Sequence, residues 1–153
     1  MTVTLSPFVT ADLDWLFLEP VQQEWLGATS PILDHDYGRA VLESGPCWTA
    51  RDAAGWVLGA GGFQEFGSGY AIAWALMAQG IGRDHMALTR AVRAKIAEAP
   101  YSRVEALIRD DWPPARRWAQ LLGLRPVFRQ HSAELDRFWV WARPQRPTLR
   151  IAA

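Results

Sequence analysis

Residues 70–99 read YAIAWALMAQGIGRDHMALTRAVRAKIAEA, an apolar run joined through a glycine turn to a segment of mixed polarity. The run from Tyr70 to Met77 has the length of a strand and lies between glycine-containing turns, which favours a central strand buried on both faces. After Gly80-Ile81-Gly82, apolar residues recur at every fourth position, which predicts an amphipathic helix that begins near Arg83 and ends before Pro100. This strand, turn and helix are the centre of the predicted fold.

The segment before the apolar run predicts an edge strand and short helices. Residues 3–6 alternate apolar and polar side chains ahead of a proline, as edge strands do. Thr10 is a candidate cap for a helical stretch over 11–26, which Pro20 divides in two because proline lacks an amide hydrogen. Asp34 begins an Asx-type start for a further helix over 37–43.

The remaining elements follow from alternation and turn residues. Residues 47–51 and 56–65 predict a hairpin, and residues 104–108 predict one more strand. Asp111 is a candidate cap for a helix with an apolar stripe from Ala115 to Leu122. The chain closes with a predicted strand pair, 125–130 and 138–142. This order of strands and helices predicts a mixed sheet with helices packed on it.

Size, charge and cysteine content limit the kind of protein this is. With 153 residues, half of them apolar, the chain can bury the core of one domain, predicted over 1–143 with a flexible tail over 144–153. Sixteen basic and sixteen acidic side chains cancel, so overall charge attracts neither nucleic acid nor a membrane surface. A single cysteine, Cys47, and no metal-ligand spacing fit a cytoplasmic protein without a metal site.

The glycine turn is the feature of this sequence that predicts chemistry. Glycines allow a sharp turn, and the N–H groups at the start of the following helix can bind phosphate oxygens, with Arg83 as a charged donor. The same pattern also serves as a plain strand-to-helix turn. A dinucleotide fingerprint is excluded because the third glycine is missing, and a P-loop because no Gly-Lys-Ser/Thr is present.

The order of elements, the Gly80-Ile81-Gly82-Arg83 turn and the Leu122-Gly123-Leu124 end of the last helix resemble the GCN5-related N-acetyltransferases (GNAT). The resemblance covers nearly the whole chain, and the sequence of residues 87–123 is most similar to GNAT-like proteins encoded by phages and prophages. It implies an α/β (α+β) fold with a mixed, mostly antiparallel central sheet of six to seven strands, flanked by about four helices.

The resemblance also implies a function and a binding site. The expected activity is transfer of an acyl group from acetyl-CoA, or another acyl-CoA, to a small-molecule or peptide amine by direct attack. The pyrophosphate is expected on the turn and the pantetheine arm beside the apolar strand, where two central strands separate. The expected cofactor-binding residues are Trp74, Ala75, Leu76, Met77, Gln79, Gly80, Ile81, Gly82 and Arg83.

Several positions depart from the family pattern. Met77 stands where relatives carry Arg or Gln, Ala119 where many carry a tyrosine general acid, and Trp112 where a nearby asparagine is usual. Substitutes for the missing acid and base are sought among titratable residues near the strand ends and the helix start: Glu65, Tyr70 and Asp110, with Asp111 and His85 as further candidates.

These departures leave a second interpretation open. In it, the chain is a catalytically degenerate GNAT-like phage protein with a binding or structural role, for example in virion assembly. Its partners would be other phage proteins, and the apolar last strand pair could also pair two copies as a homodimer.

Overall fold

The computed structural model describes residues 2–67, 69–129 and 138–145. Within these ranges the chain forms seven strands, four α-helices and two short 3-10 helices, the latter at Thr10–Trp15 and Gly82–Asp84. The strands are β1 (Thr4–Pro7), β2 (Cys47–Arg51), β3 (Val57–Glu65), β4 (Tyr70–Met77), β5 (Arg103–Arg109), β6 (Arg125–Arg129) and β7 (Phe138–Ala142). The helices are α1 (Pro20–Leu26), α2 (His35–Ser44), α3 (His85–Glu98) and α4 (Pro113–Leu121).

All seven strands belong to one sheet with the order β1-β2-β3-β4-β5-β7-β6. Every neighbouring pair is antiparallel except β4 and β5, which run parallel. The predicted mixed, mostly antiparallel sheet of six to seven strands is therefore confirmed. The single parallel pair lies at the centre, and α3 forms the helical crossover between its two strands, as parallel neighbours require.

Helices cover both faces of the sheet. On one face, the segment around α1 and α2 contributes Leu13, Leu16 and Leu18 to a core that includes Leu76 of β4. On the other face, α3 and α4 pack on β5 in a core with Ile96, Ala119 and Val104 among its members. A central strand between two helical layers is the arrangement that a nearly continuous apolar run indicates.

The boundaries of β4 and β5 agree closely with prediction, whereas two local details differ. Thr10 is not the cap of the first helix: Val9 is the N-cap, and its N–H donates to Asp12 Oδ2 at 3.1 Å. Asp111 does not cap α4, whose N-cap is Trp112, because its carboxylate binds Arg109. By contrast, Asp34 does accept from Tyr37 N at 2.9 Å and begins α2 as predicted.

The prediction that β4 is buried on both faces is wrong for most of its length. Ala71 and Leu76 are buried, but the other residues of the strand are half-buried. Beyond Ile72, the edge of β4 opposite β3 borders an open cleft in place of β5. Gln130, which ends the predicted strand 125–130, lies outside the described residues, as do residues 131–137 between the predicted strand pair and residues 146–153 of the predicted tail.

Candidate acyl-donor cleft

The parallel strands β4 and β5 are joined at one end and separate at the other. Their pairing covers only Tyr70 to Ile72 on β4 and Arg103 to Glu105 on β5. Beyond it, the strands border a cleft of about 770 Å³, lined on β4 by residues 72–77 and on β5 by residues 106–109. The cleft thus passes through the centre of the sheet and reaches both helical layers.

The glycine turn lies at the open end of this cleft. Gly80 (φ 70°) and Gly82 (φ 57°) both have the left-handed backbone that favours glycine. A Cβ placed on either would meet no atom within 4 Å, so the space above the turn is open. The first hydrogen bond of the following helix is donated by Asp84 N to Ile81 O at 3.3 Å. The N–H groups of Gly82 and Arg83 lie ahead of it, where helix starts bind anions.

Hydrogen bonds to the preceding segment anchor the turn. Gln79 N donates to Phe17 O at 2.8 Å, and Gln79 Nε2 donates to Leu18 O at 2.9 Å. Gln79 therefore holds the turn in place and does not line the cleft, and Arg83 is exposed beside it. Seven of the nine predicted cofactor-binding residues do line the cleft: Trp74, Ala75, Leu76, Met77, Gly80, Ile81 and Gly82.

The exposed edge of β4 carries a side-chain contact that sequence reasoning missed. Gln22, on α1, donates from Nε2 to Ala75 O at 3.0 Å and accepts from Met77 N through Oε1 at 2.7 Å. Both backbone groups face the side of β4 from which β5 has separated. Because Gln22 pairs with both groups, their hydrogen-bonding capacity is satisfied although β5 does not reach this part of β4.

Aromatic side chains form one part of the cleft wall. Trp25 contacts Trp112 edge-on at 5.4 Å between ring centroids and Phe138 at 6.2 Å. The guanidinium of Arg109 lies 5.2 Å from the centre of the Trp25 ring. These four residues come from α1, β5, the start of α4 and β7, and all of them line the cleft. The wall is therefore assembled from distant parts of the chain.

The positive charge of Arg109 is compensated by a neighbouring carboxylate. Its Nε and Nη2 donate to Asp111 Oδ1 and Oδ2 at 2.7 and 3.1 Å. The hydrogen bonds to Asp111 raise the pKa of Arg109, which keeps the guanidinium charged. This charge is already paired bidentately, so it is not an uncompensated cation at the cleft wall.

The predicted catalytic residues are absent from the described lining of the cleft. Tyr70 OH donates to Glu105 Oε2 at 2.9 Å, at the joined end of β4 and β5. Glu65 Oε1 accepts from Tyr101 OH at 2.8 Å, also at that end. Asp110 Oδ2 accepts from Trp139 Nε1 at 3.2 Å. None of the three is among the described residues that line the cleft.

Other titratable residues do line it. His85, one of the further candidates, lines the cleft beside the glycine turn and contacts the Trp118 ring. Glu19, at the N-cap of α1, and Tyr37, in α2, line it on the other face of the sheet. Burial raises the pKa of Tyr37. The sequence offered no local signal for Glu19, because its neighbours in the fold are distant in the chain.

The departures from the family pattern are located at the same cleft. Ala119 is buried at 1% exposure in α4 and lines the cleft together with Trp112. Neither side chain can donate the proton that a tyrosine would supply at the position of Ala119. The position where the resemblance implies an acid therefore lines the cleft, but its side chain cannot supply a proton.

The part of the chain that the structure describes contains no cluster of three or more metal-ligating side chains. Within the same part, no helix is both long and apolar enough to cross a bilayer.

Solved structures of acetyltransferases resemble this chain along most of its length. A GNAT superfamily phosphinothricin acetyltransferase from Sinorhizobium meliloti, in complex with acetyl-CoA, has a TM-score of 0.66 at 19% identity over 95% of this chain and 89% of that chain. The aminoglycoside acetyltransferase AAC(6')-Ib, in complex with coenzyme A, has a TM-score of 0.70 at 18% identity over 95% of both chains.

A third structure is the spermidine N-acetyltransferase from Vibrio cholerae in complex with CoA and spermine, with a TM-score of 0.62 at 14% identity over 92% of this chain and 93% of that chain. No protein-family model matches the sequence, and no curated protein matches it either. The structural similarity shows that this chain has the GNAT fold, which confirms the predicted fold class.

Proposed function

We propose that this chain is an acyl-CoA-dependent N-acyltransferase that acts on a small amine. The observation that carries this proposal is the separation of β4 from β5, which opens a cleft ending at the Gly80 and Gly82 turn. The solved neighbours with this fold include acetyltransferases crystallised with acetyl-CoA or CoA. The cleft has both features that such a donor requires, a strand edge for its amides and a helix start for its phosphates.

The donor site is formed by backbone groups. The N–H groups of Gly82 and Arg83 would receive the pyrophosphate, supported by the left-handed backbone that the two glycines allow. Ala75 and Met77 would pair with amides of the pantetheine arm along the edge of β4. When bound, the donor supplies an activated acyl thioester.

Transfer is proposed to be direct, from thioester to amine. The thiol of Cys47 is buried on β2, its pKa is raised by burial, and it does not line the cleft. No serine, threonine or cysteine is among the described lining residues. In the proposed direct step, the amine nitrogen forms the new bond to the acyl carbon as the carbon–sulfur bond breaks, without an acyl-enzyme intermediate.

Proton transfer needs one group to take a proton and one to give it. An amine with a pKa near about 10 is mostly protonated at neutral pH, so a base must remove a proton before attack. We propose Glu19 for this role because it is the only carboxylate among the described lining residues. Tyr37, whose pKa is raised by burial, keeps its proton at neutral pH and can donate to the departing thiolate. Catalytic roles for Glu65, Tyr70 and Asp110 stay predictions.

A second candidate function is donor binding without catalysis. It is favoured by Ala119, which stands where many GNAT enzymes carry a tyrosine acid, and by Met77 at their Arg or Gln position. In this case the protein senses acyl-CoA or assembles with other proteins. The phage role predicted from the similarity of residues 87–123 to phage-encoded proteins belongs to this second function. Fold alone does not decide between the two functions.

One set of measurements separates these functions. Acetyl-CoA is titrated by calorimetry at near-millimolar concentration into the wild type and into Gly82→Trp, whose indole fills the space above the turn. Saturable heat that Gly82→Trp abolishes supports the donor site, and absence of heat in the wild type contradicts it. Thiol release is then followed across a panel of polyamines, aminoglycosides and aromatic amines. Binding without thiol release favours the second function.

A further inference from the structure

The carboxamide of Gln22 makes two hydrogen bonds to the free edge of β4. It accepts a hydrogen bond from Met77 N at 2.7 Å and donates one to Ala75 O at 3.0 Å. These distances are typical of well-formed hydrogen bonds, and both partners are backbone groups of a central strand. The contact spans more than fifty positions of sequence, from α1 to β4.

The same two backbone groups are the ones that an incoming amide would use. A C=O and an N–H two residues apart on one strand face the same side and form the pair that a parallel neighbour takes up. Here β5 has left that side of β4 after Ile72 and Glu105. An extended ligand with an N–H and a C=O in sequence, such as the pantetheine arm, would therefore need Ala75 O and Met77 N.

We propose that Gln22 is an intramolecular competitor of the acyl donor, occupying the donor's place on β4 until the donor displaces it. This inference rests on the proposed function, since it concerns how the same cleft admits an acyl-CoA. Along this edge, each of the two backbone groups can pair with one partner at a time. Gln22 and a donor amide therefore cannot bind them together. Donor affinity is thereby lowered by the cost of breaking both hydrogen bonds.

The helix that carries Gln22 is suited to such a release. α1 is short, begins with Pro20 and contains no buried residue. Its start is held by Glu19 N, which donates to Met77 O at 3.0 Å, and by Gln23 Nε2, which donates to Leu18 O at 3.0 Å. Neither of these contacts uses the edge groups that Gln22 occupies. The Gln22 side chain can therefore leave while the rest of α1 keeps its attachment.

The test compares two neighbouring glutamines and two ligands. Gln22→Ala frees the edge of β4, whereas Gln23→Ala removes a carboxamide from the same helix without touching that edge. Affinity is measured by calorimetry for acetyl-CoA and for 3′-phosphoadenosine 5′-diphosphate, the nucleotide part of CoA, which has no pantetheine. We expect Gln22→Ala to bind acetyl-CoA roughly tenfold more tightly, as the loss of two competing hydrogen bonds allows. Nucleotide binding, and both affinities of Gln23→Ala, stay within about twofold of wild type.

A ligand-independent measurement accompanies the calorimetry. Amide hydrogen exchange at Met77 should be faster in Gln22→Ala than in wild type, and acetyl-CoA should slow it again in the variant. If Gln22→Ala fails to fold, Gln22→Glu serves instead, because its carboxylate can accept from Met77 N but cannot donate to Ala75 O. That variant should bind acetyl-CoA more tightly than wild type, but by less than tenfold.

Two results contradict the inference in different ways. If both ligands bind and neither Gln22 variant gains affinity for acetyl-CoA, Gln22 is a structural bridge and the competition is wrong. If neither ligand binds to any variant, the proposed function fails and the inference fails with it. The nucleotide measurement distinguishes these two results.

Discussion

Tyr70 and Glu105 clamp the joined end of the two parallel strands. The phenol of Tyr70, at the start of β4, donates to Glu105 Oε2 of β5 at 2.9 Å. Glu105 is buried at 7% exposure and also pairs with Arg103. The pairing of β4 and β5 covers only three residues on each strand, and this contact lies at that joined end, away from the cleft.

Tyr70→Phe should lower the free energy of unfolding by about 1 kcal/mol, because it removes one hydrogen bond to a buried carboxylate and leaves Arg103 paired with it. The effect is measurable by urea denaturation. If Tyr70 acts only as this clamp, thiol release with any accepted amine changes less than about twofold. A fall of more than about tenfold with the fold intact would instead support the catalytic role predicted for it.

The phenol of Tyr101 provides a pH-dependent test at the same end of the sheet. Burial and the hydrogen bond to Glu65 raise the pKa of Tyr101 to about 12. Because this value is above the ordinary 10.0, the protonated phenol stabilises the fold below about pH 10. That contribution is lost as the pH rises from about 10 to about 12. The stability difference between wild type and Tyr101→Phe should therefore shrink across this window.

Absorbance titration of the tyrosines checks the assignment directly. Wild type should show a phenolate increment near pH 12 that Tyr101→Phe lacks, whereas Glu65→Gln should shift this increment to lower pH. Glu65→Gln keeps a hydrogen-bond acceptor and removes the negative charge that opposes ionisation. An unchanged titration in Glu65→Gln would mean that burial alone sets the pKa of Tyr101.

Asp12 is the buried carboxylate on which the first part of the chain depends. It accepts from Val9 N at 3.1 Å, Thr49 Oγ1 at 2.6 Å and Arg51 Nη2 at 2.6 Å, and it is 6% exposed. Asp12→Ala should cost about 3 kcal/mol of stability, because it leaves three donors without their acceptor.

The matched control for Asp12 is Asp14→Ala. Asp14 lies in the same 3-10 helix, but its side chain is 51% exposed and pairs only with the partly exposed His35 in the described structure. Exposed ion pairs contribute little, so this change should cost less than about 1 kcal/mol. Equal losses in the two variants would show that the Asp12 contacts add nothing specific.

The glycine turn can be tested against a turn with the same backbone. Gly82 (φ 57°) and Gly67 (φ 61°) are both left-handed, and a Cβ on either meets nothing within 4 Å. Alanine at each position should cost about 1 kcal/mol of stability, because a non-glycine residue is strained in this region. Only Gly82→Ala should also weaken acetyl-CoA binding in calorimetry, since Gly67 lies in the turn at the other end of β4. Equal affinities in the two variants would contradict the phosphate site.

The sequence by itself determined the elements that depend on local pattern. The apolar run over 70–77 and the glycine turn after it correctly predicted β4 and the helix start, because strand length and left-handed backbone are properties of neighbouring residues. The element order then predicted a mixed sheet, which the structure confirms. Seven of the cofactor-binding candidates, which the family resemblance implies, line the cleft.

Only the tertiary structure shows that a side chain from α1 binds the free edge of β4, and which titratable groups line the cleft. Gln22 meets Ala75 and Met77 across 53 and 55 positions, and no local pattern reports a contact at that separation. Tyr70 was a candidate because it begins the apolar strand, but parallel pairing places it at the joined end, away from the cleft. The extent of pairing between β4 and β5 determines at which end the two strands separate. A side chain from α1, far away in the sequence, then pairs with the edge of β4 that is left free.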